Sequence, residues 1–343
     1  MAWTTAFERC PLPELLEQHQ SALQVLRQEL GDAFDDASLL RYVLSYERHP
    51  EQAAEAARKA LQWRQDHKDL VEAAQQRKPP PGLTTAEVCT LQTLLLTSFH
   101  GATIFGDPLF IIRPGLSNQS AVLDMLGEEK VELWVNFLNE CSFQYCEAAT
   151  RRMSYFVKHI GLQDLSGISM MPDRRFFRIL GRVSKTNEWL RPQLLGRVVI
   201  FNAPSWVGLA FRIASNFMSQ KTLSKVWIHP QKPIGSMCPY GQQLVRPESL
   251  PSMFGGLCTC DGQGCVGLRP NDSLQKPTLE DVPSSLSELL PIRRLPRCED
   301  LVPKAAAPSS SRAIHAPTPI RAEPWCRRCC KRRRPLAASA DQA

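Results

Sequence analysis

The sequence lacks any hydrophobic run that would direct the chain into a membrane. No stretch reaches the roughly 18 consecutive apolar residues of a membrane-spanning helix. The first residues, MAWTTAFERCPLPE, have neither a basic nor an apolar signal region, so we expect no secretory signal, and Ala2 in place of Gly excludes N-myristoylation. Without a signal peptide, the 12 cysteines are expected to be reduced thiols and the chain to be cytoplasmic.

Signatures of catalysis are also missing. The chain has no Gly-x-Ser-x-Gly elbow, no Gly-x-x-x-x-Gly-Lys phosphate loop and no His-Glu-x-x-His motif, and its 7 histidines are scattered. Acidic pairs such as Asp35-Asp36 and Glu128-Glu129 fit helix N-termini better than general acid–base catalysis, because carboxylates there stabilise the helix dipole. We therefore predict that the protein is not an enzyme and has no cofactor.

One group of cysteines raises the question of a zinc site. Cys258, Cys260 and Cys265 lie close together in sequence. A structural zinc site is closed by four ligands, and this set lacks a fourth nearby ligand. We therefore predict no metal site.

Positive charge is concentrated near the C-terminal end. The net charge is +7, and residues 321–334 alone contain seven Lys or Arg and one Glu, so the remaining chain is close to neutral. The last 77 residues contain 11 prolines, and their one aromatic residue is Trp325. Such a segment buries too little apolar surface to offset its conformational entropy, so residues 266–343 are predicted to be disordered, with room for a short docking helix at 285–290.

Three cysteines lie within the basic run at the end of this tail. Cys326, Cys329 and Cys330 beside Trp325 suit S-palmitoylation at an anionic membrane surface, where each cation contributes about 1 kcal/mol. We predict peripheral membrane association through the tail. A nuclear-localisation or nucleic-acid-binding patch and an inert basic end stay open as alternatives, and nucleic acid is not the favoured partner.

Residues 195–228 contain the clearest change of period. The apolar run 198–201 predicts a strand buried on both faces, 202–204 interrupt it, and helical spacing begins at Ser205. A second strand is predicted at 223–228, so the unit is a strand, a helix and a parallel strand with a right-handed crossover. The apolar face of the helix is wider than one sheet requires. Two interpretations stay open: a core helix, or a helix that covers a cavity for an apolar ligand.

The sequence around this unit predicts helices first and then a mixed fold. Between residues 33 and 78, Asp35 or Asp36 can cap one helix, and Pro50 suits the first turn of the next. A proline-rich linker follows at 77–82. Further predicted elements are strands at 100–105 and 109–112, a helix at 128–151, a strand at 155–160 and a helix capped by Asp173.

Several of these stretches resemble motifs of one family. LLGRVVIFNAPSWVGLAFRIASNFMSQKTLSK, at 194–225, resembles the signature of the CRAL-TRIO lipid-binding domain family, phosphatidylinositol-transfer-protein-like members included. The hairpin that begins at His100-Gly101, QDLSGIS at 163–169 and LPSMFGG at 250–256 are similar to further motifs of that family. Residues 35–65 resemble the helical module that precedes such domains.

The resemblance implies an α/β fold and a carrier for one hydrophobic molecule. An N-terminal extension (1–32) and the helical module (33–78) would precede a CRAL-TRIO domain (79–265) and the disordered tail (266–343). A mostly parallel sheet would form the floor of an apolar pocket, and a gate helix at 205–218 would cover it. The candidate lipid-binding residues are Phe177, Leu180, Val199, Phe201, Phe211, Ile213, Phe217, Met218 and the retained Lys225. For the apolar members, ordinary core packing stays open as an alternative.

The headgroup positions depart from the family pattern. The phosphatidylinositol-transfer branch has a Glu-Arg pair before the strand and an Arg-x-Arg in the helical module; here Gln193, Leu194 and residues 44–46 stand at those places. The hydroxyl residues that serve phosphatidylcholine align with His159 and Gly161. We therefore expect a lipid other than these two, or a vestigial pocket.

These expectations combine into one predicted function. The protein is predicted to be a monomer that binds a single lipid molecule in an enclosed pocket and transfers it between membranes without catalysis. The alternative is a membrane-recruited interaction or regulatory module that retains the fold without lipid transfer.

Overall fold

The structure, a computed structural model, describes residues 10–47, 49–168, 173–208, 223–228, 245–258, 260 and 275–301. An all-helical beginning is followed by a mixed α/β arrangement, as predicted. The helices are Leu12–Gln18 (α1), Gln20–Leu30 (α2), Asp36–Ser45 (α3), Pro50–Asp66 (α4), Lys68–Gln76 (α5), Thr85–Leu94 (α6), Gln119–Met153 (α7) and Arg174–Leu190 (α8). A further short helix, Leu290–Arg293 (α9), begins at the last residue of the short helix predicted at 285–290. The strands are Thr97–Ala102 (β1), Pro108–Ile112 (β2), His159–Asp164 (β3), Leu195–Phe201 (β4) and Val226–Ile228 (β5).

Helices of the N-terminal region begin at the capping residues that the sequence indicates. The side chain of Asp35 caps α3 by accepting a hydrogen bond from Ser38 N at 3.0 Å, and Pro50 occupies the first turn of α4. The region extends further toward the N-terminus than the predicted boundary at residue 33. This difference arises because Leu23 and Leu26 of α2 are buried in the same apolar cluster as α3 and α4.

Two largely buried ion pairs join this helical region to α7, and Arg151 of α7 makes a third, more exposed pair with Asp35. Arg41 of α3 contacts Glu147, and Arg64 of α4 contacts Glu140. Burial raises the pKa of Glu140, but the charges of Arg64 and Arg191 outweigh that effect and hold the pKa below its usual range. Because removing one partner of a buried pair leaves the other charge desolvated, these contacts fix how the helices sit on α7.

The sheet is mostly parallel, as predicted. Its strand order is β1-β2-β3-β4-β5, with β1 antiparallel to β2 and every other neighbouring pair parallel. The parallel pairing predicted between the strands on either side of residues 205–218 is confirmed: Val198 pairs with Val226 and Ile200 with Ile228.

Strand β3 begins at His159 instead of at the predicted residue 155. In this stretch Tyr155 forms only an isolated antiparallel bridge with Pro11, and the backbone of Val157 and Lys158 bonds to side chains. The carbonyl of Val157 accepts from Arg41 at 3.1 Å, and Lys158 N donates to Asp107 Oδ1 at 3.0 Å. The apolar pattern of this stretch was therefore not a sufficient signal for a strand.

The long helix α7 covers one face of the sheet. It includes the predicted helix at 128–151 and changes direction at Gly127, where φ is 75°. Trp134 and Phe137 are buried in one cluster with Phe99 of β1. In the described part of the chain, no helix is long and apolar enough to cross a bilayer.

A segment of the predicted tail is folded onto the domain. Residues 275–301 are described, and Leu289, Ile292 and Leu295 are buried in the main apolar cluster. Arg77 donates to the carbonyl of Leu295 at 2.7 Å. Disorder was predicted here from the number of prolines, without regard to these spaced leucine and isoleucine side chains. Their burial offsets the conformational entropy that the segment loses on ordering.

Candidate functional site

The candidate lining residues Val199 and Phe201 lie on the sheet face opposite α7, whereas His159 lies on the face that packs on α7. Because side chains alternate along strands, Val199 and Phe201 lie on the other face from Val198 and Ile200. Val199 is buried, and the ring centroid of Phe201 lies 4.7 Å from that of Phe254. The same face carries further buried apolar side chains: Leu109, Ile111, Ile160 and Leu162. A continuous apolar surface therefore spans β2, β3 and β4.

Three sequence motifs meet at the carboxyl ends of these strands. Asp164, from the Asp-Leu-x-Gly motif, accepts hydrogen bonds from Arg113 at 3.1 Å, from Asn202 of Asn-Ala-Pro at 2.9 Å and from the hydroxyl of Ser166 at 2.7 Å. Burial raises the pKa of Asp164, but these hydrogen bonds and the Arg113 charge outweigh it and hold the pKa below its usual range. This network fixes the point at which the chain leaves β4.

The predicted gate helix is described only at its beginning. Val207 is buried in a cluster with Leu165 and Ile200, and Trp206 packs against that cluster. The candidate residues that lie outside the described part of the chain are Phe211, Ile213, Phe217 and Met218. The candidate acylation sites Cys326, Cys329 and Cys330 lie outside it as well.

Two candidate lining residues lie on the exposed side of α8. Phe177 is 54% exposed and Leu180 is 39% exposed, whereas Ile179 and Val183 on the opposite side are buried. One helical turn apart, Phe177 and Leu180 form an apolar surface that we call the α8 patch. In this conformation the α8 patch faces solvent.

The retained Lys225 is hydrogen-bonded to the backbone of β4. Its ammonium group donates to the carbonyl of Leu195 at 2.7 Å, and its own carbonyl accepts from Val198 N at 2.9 Å. Lys225 therefore joins the start of β4 to the start of β5, beside the position where the resemblance places a lipid headgroup.

The two departures from the phosphatidylinositol pattern are in direct contact with each other. The side-chain amide of Gln193 donates to the carbonyl of Leu44 at 3.0 Å and to Ser45 Oγ at 3.2 Å, and its oxygen accepts from Lys158 at 2.7 Å. Leu194 is buried in the main cluster. A neutral amide and a buried leucine thus stand where the family branch has a carboxylate and a guanidinium. Sequence reasoning missed Lys158, since nothing in its neighbourhood marks it as a partner of Gln193.

The positions aligned with the phosphatidylcholine hydroxyl groups carry no hydroxyl group. His159 is buried between the sheet and α7, where its Nδ1 lies 2.9 Å from Ser142 Oγ and its ring packs 5.2 Å from that of Phe110. A Cβ added at Gly161 would lie 3.6 Å from Val198 Cγ2. Neither position presents a hydroxyl group to a ligand.

Comparison with known proteins agrees with this architecture. A model of the CRAL/TRIO domain matches residues 93–256. Phosphatidylinositol/phosphatidylcholine transfer protein SFH11 of Arabidopsis thaliana is 26% identical over 271 residues, covering 76% of this chain and 67% of that protein. Sec14 cytosolic factor of Schizosaccharomyces pombe is 22% identical over 272 residues, covering 72% of this chain and 84% of that protein.

Other matches are to larger proteins or to structure alone. Protein real-time of Aedes aegypti is 26% identical over 240 residues, covering 66% of this chain but 34% of that protein, so the chain spans about a third of its length. A solved structure described as the crystal structure of Sfh5 covers 76% of this chain and 93% of that one, with a TM-score of 0.46 and 14% identity. Residues 93–256 of this chain are therefore similar to the CRAL/TRIO domain family.

Proposed function

We propose that this protein binds one lipid molecule in an enclosed apolar pocket and carries it between membranes without catalysing a reaction. The observation that carries the proposal is the apolar sheet face of β2, β3 and β4 within a CRAL/TRIO domain. Two relatives whose names describe phospholipid transfer or a Sec14 factor cover most of the chain at low identity, which supports the same class of activity.

The energetics of the cargo explain why a closed pocket is needed. Each CH₂ group moved out of water contributes roughly 0.8 kcal/mol, so a 16-carbon acyl chain contributes on the order of 12 kcal/mol. A carrier has to shield the acyl chain from water with apolar side chains. The buried side chains of Leu109, Ile111 and Leu162 are of this type. Release then takes place at a membrane, which replaces the pocket as the apolar solvent.

The cargo we propose is a lipid other than phosphatidylinositol or phosphatidylcholine. Gln193 hydrogen-bonds Leu44 and Ser45, and Leu194 is buried, so neither offers the charged group that would hold an inositol phosphate. The retained Lys225 is a single cation, and a lysine lacks the bidentate geometry with which arginine binds a phosphodiester.

Lipid analysis of the purified protein tests both parts of this proposal. The full chain is expressed, purified without detergent and extracted, and the bound lipid is identified by mass spectrometry. We expect about one lipid per chain, with neither phosphatidylinositol nor phosphatidylcholine predominating. Recovery of no lipid would contradict the carrier proposal, whereas recovery of mainly phosphatidylinositol would contradict only the proposed cargo.

The α8 patch offers a second test, because its residues are exposed and can be changed at little cost in stability. We expect Phe177→Ser with Leu180→Ser to slow vesicle-to-vesicle transfer several-fold while the unfolding midpoint changes little. Leu279→Ser is the matched control, since Leu279 is also an exposed apolar residue, 49% accessible, and lies far along the chain from α8. Equal transfer rates for both variants would contradict a role for the patch.

A membrane-recruited interaction module is the second candidate function. The observation that favours it is the basic run 321–334, with Cys326, Cys329 and Cys330 inside it. Such a module would bind anionic vesicles without moving lipid between them, so binding and transfer are measured on the same preparation. Labelling with an alkynyl fatty acid tests acylation: we expect the label to be lost when the three cysteines are changed to serine.

A further inference from the structure

Three side chains of metal-binding types, His100, Cys258 and Cys260, converge at β1. Nε2 of His100 lies 3.3 Å from Sγ of Cys260, and that sulfur lies 3.8 Å from Sγ of Cys258. All three atoms lie within 4.8 Å of one another. Among the described residues, this is the one group of three or more His, Cys, Asp or Glu side chains with ligand atoms so close together.

These separations match the edges of a tetrahedral zinc site. With zinc–sulfur bonds of about 2.3 Å and zinc–nitrogen bonds of about 2.0 Å, tetrahedral angles place two sulfurs about 3.8 Å apart and a sulfur and a nitrogen about 3.5 Å apart. The observed 3.8 Å and 3.3 Å are close to both values. Two of the three separations therefore already match a tetrahedral ion, and the third is within 4.8 Å.

The imidazole of His100 is oriented for this role. Its Nδ1 lies 3.0 Å from the carbonyl oxygen of Ser249. Because a carbonyl oxygen only accepts hydrogen bonds, this contact places the proton on Nδ1 and leaves the lone pair of Nε2 directed at the sulfur of Cys260. A backbone carbonyl on the far nitrogen is a common partner of metal-binding histidines, since it fixes the ring and its tautomer.

Close packing of a loop on β1 brings the cysteines to the histidine. Cys258 N donates to the carbonyl of Leu250 at 3.1 Å, which closes the turn formed by LPSMFGG. Gly256 is required there, because a Cβ at this position would lie 1.9 Å from the carbonyl oxygen of Leu250. On the facing strand, a Cβ at Gly101 would lie 3.2 Å from Cβ of Ser249. Two glycines thus allow the approach that forms the cluster.

A solvent-connected cleft reaches the cluster. It has a volume of about 350 Å³, and His100 and Cys258 form part of its wall together with Arg77 and Arg294. A metal site needs such an entry path if the ion is to load after folding. The cleft supplies one.

We propose that His100, Cys258 and Cys260 bind a zinc ion that ties the loop at 247–258 to β1, with water in the fourth position that these three ligands leave open. Two thiolates and one imidazole form a soft donor set, which suits zinc and excludes magnesium and calcium, because those ions prefer oxygen ligands. Sequence analysis found only the cysteines. His100 is separated from them by about 160 residues, so the fold alone supplies it as the third ligand.

Metal analysis of the purified full chain tests the proposal. The protein is purified without an affinity tag that binds metals, dialysed against metal-free buffer and analysed by inductively coupled plasma mass spectrometry. We expect about one zinc per chain, and we expect cobalt exchange to give the intense visible bands of a tetrahedral site with thiolate charge transfer. Substoichiometric zinc, or a purified protein in which Cys258 and Cys260 form a disulfide, would overturn the proposal.

Variants of the proposed ligands test whether the zinc ion binds at these residues. Cys260→Ser and His100→Asn should each weaken zinc affinity at least tenfold in a chelator competition. Asparagine at 100 retains a donor for the carbonyl of Ser249 but offers no ligand in place of Nε2. Cys10→Ser is the matched control, since Cys10 lies outside the cluster. An unchanged cobalt spectrum in His100→Asn would overturn the assignment, and circular dichroism verifies that each variant is folded.

Discussion

Gln193 and Ser45 are hydrogen-bonded to each other, with Nε2 of the amide 3.2 Å from the hydroxyl oxygen. Gln193 stands where the phosphatidylinositol-transfer pattern has a glutamate, and Ser45 is the middle residue of the segment 44–46 that stands where the pattern has Arg-x-Arg. The two departures from the pattern are therefore in contact. A hydrogen bond between uncharged groups joins the helical module to the segment before β4. A carboxylate at residue 193 would keep the contact with Lys158 but would lose the donors to Leu44 and Ser45.

Restoring the family pair is therefore expected to fail. Gln193→Glu loses the two donors to Leu44 and Ser45, at a cost of about 1–2 kcal/mol. Leu194→Arg places a guanidinium at a buried position and is expected to cost about 3 kcal/mol or more. We predict that the double variant unfolds at a lower urea concentration and does not acquire phosphatidylinositol, as measured by lipid mass spectrometry. Loading with phosphatidylinositol at an unchanged midpoint would contradict this account.

The joint between the helical region and α7 gives a second prediction. The Arg41 side chain is fully buried and contacts Glu147, so Arg41→Met should lower the free energy of unfolding by about 3 kcal/mol. The pair of Arg58 with Glu29 is the matched control, because the Arg58 side chain is 54% exposed and Arg58→Met should cost less than about 1 kcal/mol. Urea denaturation of the three proteins measures the difference. Equal losses would show that burial does not control the strength of these pairs.

Asn202 combines a hydrogen bond with an unusual backbone conformation. Its φ is 51°, and its amide donates to Asp164 at 2.9 Å. Asn202→Gly keeps the backbone conformation but loses the hydrogen bond, which lowers the free energy of unfolding by about 1–2 kcal/mol. Asn202→Ala loses the same bond and in addition about 1 kcal/mol, because alanine disfavours the left-handed conformation. We predict that the alanine variant is the less stable of the two in thermal unfolding. The reverse order would mean that the backbone conformation contributes little.

Local signals in the sequence were sufficient for many of the elements. Asp35, Pro50 and Asp173 mark helix starts because capping depends on one side chain and the few residues that follow it. The parallel pairing of β4 and β5 follows from a chirality rule that needs only the order of elements. The resemblance to the family motifs also predicted a mostly parallel sheet.

Contacts between distant segments could not be predicted in this way. The start of β3 depends on Arg41 and Asp107, which bond the backbone of residues 157 and 158 from far away in sequence. The packing of Leu289 and Ile292 onto the core depends on a surface that exists only after the domain has folded. The same holds for His100 beside Cys260, where the ligand pattern is spatial and has no sequence spacing to reveal it.

His159 makes acid stability a measurable property of this fold. The ring is buried between Phe99 and Phe110, and burial lowers its pKa to about 4 from a usual value near 6.5. The native state therefore keeps the imidazole neutral at a pH at which the unfolded chain already binds a proton. Stability from this group is complete above about pH 6.5 and decreases as the pH falls toward 4, where the loss amounts to about 3 kcal/mol.

Replacing His159 with a residue that does not titrate should remove this dependence. We predict that His159→Gln is less stable than the natural protein at pH 7 but loses about 3 kcal/mol less between pH 7 and pH 4, measured by urea denaturation at each pH. His67→Gln is the control, because His67 is exposed and stacks on Trp63 at the surface. Because this variant leaves His159 in place, the control should follow the natural protein across the whole range. Parallel curves for all three proteins would show that protonation of His159 does not oppose folding.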